Sequence, residues 1–281
     1  MRIVCLLHFY YESTMKPTFT ILLLLSILFS EAGAQPPTKY YKVRYEANYK
    51  EVPKDTANAT LFFNDTCSLY CSDNYYLKPE QGEITKSKET TPDGNTMVTL
   101  DAKGPFEGEL LQTVFSRGVL WFPAKYLVHM KSVACIAEEK LPLIHWELRN
   151  GHKPFGNYQA NEAYCQFRGR KYQAWYIPAI PTMAGPWKFN GLPGLIVEVK
   201  DEDNTVLFDF KSIEEVVAPW PSYELPARAE QLDMKTYSKR EHEGLQELVG
   251  VLLSKSGRNQ GSTSGVELQR DDRELNFDDL Q

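Results

Sequence analysis

Two short runs late in the chain constrain its architecture more than any other feature. Residues 195–199 (LIVEV) and 205–210 (TVLFDF) are apolar, β-branched and alternating, and only Lys200 and the acidic Asp201-Glu202-Asp203-Asn204 separate them. A connection that short joins antiparallel strands, because a parallel crossover takes a dozen or more residues. The same period of two appears early, where Tyr41, Val43 and Tyr45 alternate with Lys42, Arg44 and Glu46. Strand-like runs recur at 59–64, 68–76, 97–101, 110–115, 119–122, 126–130, 143–149, 163–167 and 172–176. Residues 78–96, with Pro79, Gly82 and Pro92-Asp93-Gly94, read as loop, and Asn150-Gly151 reads as a turn. With 5 Trp, 16 Tyr and 14 Phe, the aromatic load also suits pleated, half-buried surfaces. Helical spacing comes late: Leu245, Leu248, Val249 and Leu252 form one stripe within 237–253.

The expected fold is therefore mainly β: a curved, half-barrel-like antiparallel sheet with a C-terminal α-helix packed on it. It forms one domain over residues 35–253. The half-barrels of periplasmic lipoprotein carriers are the nearest analogy, in shape only. Residues 254–281, rich in Ser, Gly, Asn, Gln and acid, read as a disordered tail. Short strands broken by charged loops speak against an outer-membrane barrel.

The N-terminus supplies an address. Residues 19–29 (FTILLLLSILF) form an eleven-residue apolar run, short of the roughly 20 residues that span a bilayer. It fits the centre of a secretory signal peptide, 1–34, with Ala32-Gly33-Ala34 as the small-x-small cleavage pattern. Met15-Lys16 is a better start for such a signal than Met1, because residues 1–14 place Cys5 and Glu12 ahead of the usual basic residue. The expected product begins at Gln35, has no transmembrane segment and resides in the periplasm, the cell envelope or outside the cell. A net charge of −6 excludes a general nucleic-acid binder.

Export bears on the cysteines. Cys67, Cys71, Cys135 and Cys165 remain after cleavage, and four cysteines in an exported chain suggest a disulfide. Free buried thiols are the alternative, and a metal site lacks the usual paired ligands. Other chemistry-bearing groups have plainer readings. Gly261-Ser262-Thr263-Ser264-Gly265 mimics a nucleophile elbow, but in the tail. Asp201-Glu202-Asp203 reads as a solvated turn rather than a cation loop. His145 with Glu147, and Glu214 with Glu215, are conceivable acid–base pairs that also suit the polar face of a sheet. No catalytic residue, metal or cofactor is assigned.

Residues 175–195 (WYIPAIPTMAGPWKFNGLPGL) stand apart. Pro193-Gly194 fits the central positions of a type II turn, delivering Leu195 into a strand. The segment admits two uses. Trp175, Tyr176, Trp187 and Phe189 could anchor a docking surface, with Arg168 and Arg170 beside it to hold an anionic group. Alternatively, the segment is an ordered corner that folds the sheet on itself. Lys188 and Arg170 are expected on a solvated face.

This stretch also carries a resemblance. Gly191-Leu192-Pro193-Gly194-Leu195-Ile196, with Phe167-Arg168-Gly169-Arg170, Ala174-Trp175-Tyr176 and Gly185-Pro186-Trp187-Lys188-Phe189, resembles the GLPGLI family of exported, Bacteroidetes-type proteins. The resemblance runs over roughly 38–253 and is most specific over 166–201. It departs where the family often has a Cys in the segment matching 158–163, for this chain has Ala160. It implies export and a β-rich shape and no established activity. The function it supports is a non-catalytic binding protein for an apolar ligand or peptide, or one that docks on an outer-membrane partner. A secreted hydrolase with carboxylates from separate strands is the alternative, and a structural or adhesive surface protein is a third reading.

Overall fold

The computed structural model describes residues 37–49, 57–77, 84–90, 96–102, 106–226 and 228–255; the stretch 1–34, expected to be a signal peptide, and the chain beyond Lys255 lie outside the described residues. In chain order the strands are β1 (Thr38–Tyr49), β2 (Ala57–Phe63), β3 (Cys67–Ser72), β4 (Tyr76–Leu77), β5 (Ile84–Thr90) and β6 (Thr96–Ala102). They continue with β7 (Phe106–Glu107), β8 (Leu110–Val114), β9 (Val119–Val128), β10 (Lys131–Lys140) and β11 (Glu147–Phe155). The last are β12 (Tyr158–Phe167), β13 (Arg170–Ile177), β14 (Leu195–Asp201), β15 (Val206–Ala218) and β16 (Glu230–Asp233), followed by the helix α1 (Met234–Lys255).

Twelve strands form one open sheet in the order β11-β12-β13-β14-β15-β1-β2-β3-β8-β9-β10-β16. Every pairing in it is antiparallel except β10 with β16. The 195–210 hairpin forms as expected. The mainly β expectation holds, with a parallel edge and no closure into a barrel. The loop expected over 78–96 contains β5, which pairs with β6 in a separate hairpin. Its sequence, ITKSKET, has almost no apolar residue to reveal the alternation. Asn150-Gly151 lies inside β11, where the register with β12 shifts between Leu148 and His152, so these residues make an irregularity in the strand rather than a turn. Residues 141–146 are not strand, because Trp146 donates its indole N–H to the Asn190 carbonyl at 2.9 Å and is tied to another segment.

Both faces of the sheet are covered, which explains a strand such as β3 that is buried at every position. On one face Val43, Tyr45, Leu61, Tyr172 and Phe208 pack under Ile180, Ala184, Trp187, Phe189 and Leu192, all from the irregular segment 178–194. On the other, Tyr40, Phe62, Leu69, Cys71 and Leu110 are covered by Trp220, Tyr223 and Leu225, which follow β15. Helix α1 starts at Asp233, whose carboxylate accepts from the Thr236 N–H at 2.9 Å and its hydroxyl at 2.8 Å. It packs on β9 and runs to Lys255, two residues past the expected end.

The register has one break that shapes a site. β14 pairs with β15 only at Glu198, Val199 and Lys200, opposite Asp209, Phe208 and Leu207. Register shifts at Arg44/Tyr45 in β1 and Trp175/Tyr176 in β13 fall at the level where the two strands part. The fully buried Tyr45 donates its hydroxyl to the Ile196 carbonyl there. Beyond Asp209, β15 is paired with β1 alone among the described residues.

Candidate functional site

The 178–194 segment is held down at both ends. Gly194 N–H donates to the Leu192 carbonyl at 2.8 Å, and Leu195 N–H donates to the Ile180 carbonyl at 3.0 Å. The expected type II turn is thus a tighter three-residue turn centred on Pro193. Gly194 has φ 150°, and a Cβ there would sit 2.3 Å from the Ile177 carbonyl oxygen, so glycine is required. Between these ends Phe189 is the hub of an aromatic cluster. Its ring centre lies 4.8 Å from Tyr172, 5.4 Å from Trp187, and 5.9 Å from both Phe167 and Phe208.

Next to that cluster lies a buried ionic triad. Glu139 on β10 accepts hydrogen bonds from Arg168, in the β12–β13 turn, and from Lys188 Nζ at 2.8 Å. The three side chains are 0%, 0% and 3% exposed. Lys188 Nζ also stands 4.8 Å from the Phe122 ring centre, a cation–π contact within the apolar interior. β10 and the β12–β13 hairpin belong to opposite arms of the sheet, so the triad clasps two arms that no strand pairing joins.

These positions correct part of the sequence reading. Lys188 is buried rather than solvated, because Glu139 receives it. Arg170 is 12% exposed and bonds Asp201 and Thr205, each at 2.9 Å. Tyr176, Trp187 and Phe189 are core residues, Arg168 is enclosed with Glu139, and none of these four offers a docking surface. Trp175 is half-buried beside Lys153, whose Nζ lies 5.6 Å from its ring centre. In the family-like motif Leu192, Leu195 and Ile196 are buried, while Gly191 and Pro193 are exposed. Residue spacing could not reveal Glu139, since its partners lie 29 and 49 positions away.

The expected disulfide is not formed among the described residues: Cys67, Cys71, Cys135 and Cys165 are buried and unbridged. Cys67 and Cys71 share one strand, where four residues span about 13 Å, too far for a bond. Cys135 and Cys165 belong to different core clusters. Burial raises the Cys71 thiol to about 11, and those of Cys135 and Cys165 to about 12, the opposite of a reactive thiol.

The polar groups singled out from sequence are also engaged. Asp201 is buried and accepts from the Thr205 and Val206 N–H groups at 2.7 and 2.9 Å, closing the hairpin loop. Glu147 pairs with Arg149 at 2.7 Å, and exposed His145 precedes the strand. Glu214 and Glu215 pair with Lys42 and Lys39 at 2.6 and 2.9 Å.

A groove runs along the outer side of the 178–194 segment. Two adjoining cavities, of about 650 and 440 Å³, share Asn64, Asp65 and Pro181. The larger lies over the ends of β1 and β15, lined by Tyr41, Phe63, Ile180, Ile213 and Tyr158, with Lys39 and Glu215 at its rim. The Tyr41 and Phe63 rings stack there, 5.2 Å between centres. The smaller is walled by Phe115, Met183, Gly191, Leu192 and Pro193. The motif thus has two sides, Leu192 reaching inward and Pro193 facing the groove. Hydrogen bonding to Lys39 holds the Glu215 carboxyl below the ordinary range.

Residues 168–198 match a family model described as "Protein of unknown function (Porph_ging)", and this stretch contains Arg168, Lys188 and the whole turn motif. No curated protein matches the sequence. Among solved structures, "Structure of PNGF-II in P21 space group" is similar, with a TM-score of 0.50 and 11% identity, over 74% of this chain and 34% of that one. "Structure of PNGF-II in C2 space group" is similar at a TM-score of 0.49 and 11% identity, over 74% and 33%. The chain spans about a third of the length of these structures, and the likeness to the first is one of fold.

Proposed function

We propose that this chain is an exported, GLPGLI-type binding protein whose ligand site is the groove between the 178–194 segment and the ends of β1 and β15. The carrying observation is the groove itself: its cavities have the size of small-ligand sites. Aromatic and aliphatic side chains line them together with Asn64 and Asp65, and with Lys39 and Glu215 in the larger, and the segment that forms one wall is fixed by the turn, the aromatic cluster and the ionic triad. Docking on an outer-membrane partner would use the same wall. The hydrolase reading has less support, since the carboxylates singled out for it, Glu147, Glu214 and Glu215, are each paired with a basic side chain.

The neutral dye Nile red tests the site. Its fluorescence should rise on titration with the purified protein, and Ala179→Trp, which fills the larger cavity from an exposed position, should abolish the rise. A Nile red signal unchanged by Ala179→Trp would remove the groove as its site. Export is tested separately: N-terminal sequencing of the protein recovered outside the cytoplasm should begin at Gln35, and retention of residues 15–34 would overturn it.

A further inference from the structure

We infer that the occupant of this groove is an extended peptide that adds to the sheet along the open edge of β15; the inference rests on the groove being the binding site. β15 is thirteen residues long, and β1 pairs with it along its whole length, from Thr38 opposite Ala218 to Tyr49 opposite Val206. Its other edge carries β14 only as far as Asp209. In an antiparallel strand every second residue turns both its N–H and its C=O to the same side. From residue 210 to 218, β15 therefore presents a ladder of donors and acceptors with no strand beside it among the described residues.

Natural sheets cover or blunt such edges, whereas this one borders a cavity. Ile213 and Glu215 on the open stretch line the 650 Å³ groove, and Val217, at 68% exposed, follows them on the same face of the strand. The departure of β14 is built in. β14 begins at Leu195, directly after the Gly194 turn, so it has no residue to pair with the far half of β15, and its Ile196 carbonyl accepts from the buried Tyr45 hydroxyl close to where the two strands part. The edge of β15 beyond that level is therefore available to another strand.

Chemistry favours a peptide over a compact apolar molecule. Strand addition obtains affinity from main-chain hydrogen bonds and selectivity from pockets for alternate side chains. Tyr41, Phe63 and Ile180 form an apolar pocket on one side of the edge. Asp65 and Glu215 face the single ammonium of Lys39 in the same groove, leaving one excess negative charge. The peptide that fits has alternating apolar or aromatic residues and carries a Lys or Arg.

The test uses the purified full chain and an immobilised library of capped octapeptides randomised over Val, Thr, Tyr, Phe and Lys. Binders should emerge that contain at least one Lys. Methylating alternate backbone nitrogens of a binder, which removes donors and leaves its side chains, should weaken it about tenfold or more in one of the two alternating patterns. On saturation, hydrogen exchange should slow at amides within 210–218 and not along β11, the outermost strand. Ala179→Trp should remove binding. A library without binders, a binder indifferent to both methylation patterns, or protection confined to another edge would overturn the inference. If Nile red still binds wild type and not Ala179→Trp in any of those cases, the groove reading stands and only the strand-addition proposal falls. If Nile red also ignores the groove, both fall.

Discussion

The hydroxyl of Tyr45 donates a hydrogen bond to the main-chain carbonyl of Ile196 inside the core, 151 residues further along the chain. The bond ties β1 to β14 across the intervening β15. The bond keeps a buried acceptor satisfied at the point where β14 and β15 part. Tyr45→Phe keeps the ring and orphans the carbonyl. It should cost about 1–3 kcal/mol, the usual penalty for an unmatched buried polar group. Urea unfolding of the two proteins measures it, and an unchanged midpoint would show that the acceptor finds another donor.

The Glu139–Arg168–Lys188 triad holds two cations and one carboxylate, so its members are not equivalent. Glu139→Ala leaves two buried positive charges and should cost about 3–5 kcal/mol. Lys188→Met leaves a neutral Glu139–Arg168 pair, fills the same buried space with an apolar side chain and gives up the cation–π contact with Phe122. It should cost markedly less. Chemical denaturation of both variants checks the order; equal losses would mean that the charges contribute little and that packing dominates.

Two glycines of the motif, exposed Gly191 and buried Gly194, separate strain from crowding. Gly191 has φ 89° with open space around its Cβ position, so Gly191→Ala should cost about 1–2 kcal/mol in backbone strain alone. Gly194→Ala adds a collision with the Ile177 carbonyl and the Pro178 backbone. That variant should melt well below Gly191→Ala or accumulate poorly. Thermal melts of the pair decide it.

The buried thiols give stability a pH dependence. Burial raises Cys71 to about 11, and Cys135 and Cys165 to about 12, from an ordinary 9.0. A group whose pKa is raised by folding adds stability that is whole below its unfolded pKa. That stability is lost as pH climbs toward the folded value. Unfolding free energy should therefore fall above about pH 9, each thiol adding up to about 1.4 kcal/mol per pH unit to the slope. Cys165→Ala should flatten the fall by one such contribution. Thiol titration of the denatured, unreduced chain from Gln35 should find all four cysteines free.

Much of the sheet could be read locally. Alternation at Tyr41, Val43 and Tyr45 and in 195–210 is a property of neighbouring residues, and so is the stripe of α1. Polar β5 and the 141–146 segment escaped because their states depend on hairpin pairing and on the Trp146–Asn190 bond. The site was legible in one half only. The segment 178–194 announced itself through Pro, Gly and aromatics, but its role as the cover of a core did not. Lys188 reads as a surface lysine until Glu139 arrives from another arm. The groove needs Tyr41, Phe63 and Ile213 from three strands, a juxtaposition that no spacing encodes.

The place of β1 has a consequence for how the chain matures. It is the first strand among the described residues, yet it lies near the middle of the sheet, between β2 and β15. Contacts between such distant parts of a sequence form slowly. A chain that emerges N-terminus first carries β1 with one edge uncovered until Ala218 has followed. In that interval the row from Tyr40 to Ala47 is exposed to mispairing. A chaperone that shields that row until β15 arrives would therefore govern yield more than stability does, and truncations ending before Val206 should aggregate rather than fold partially.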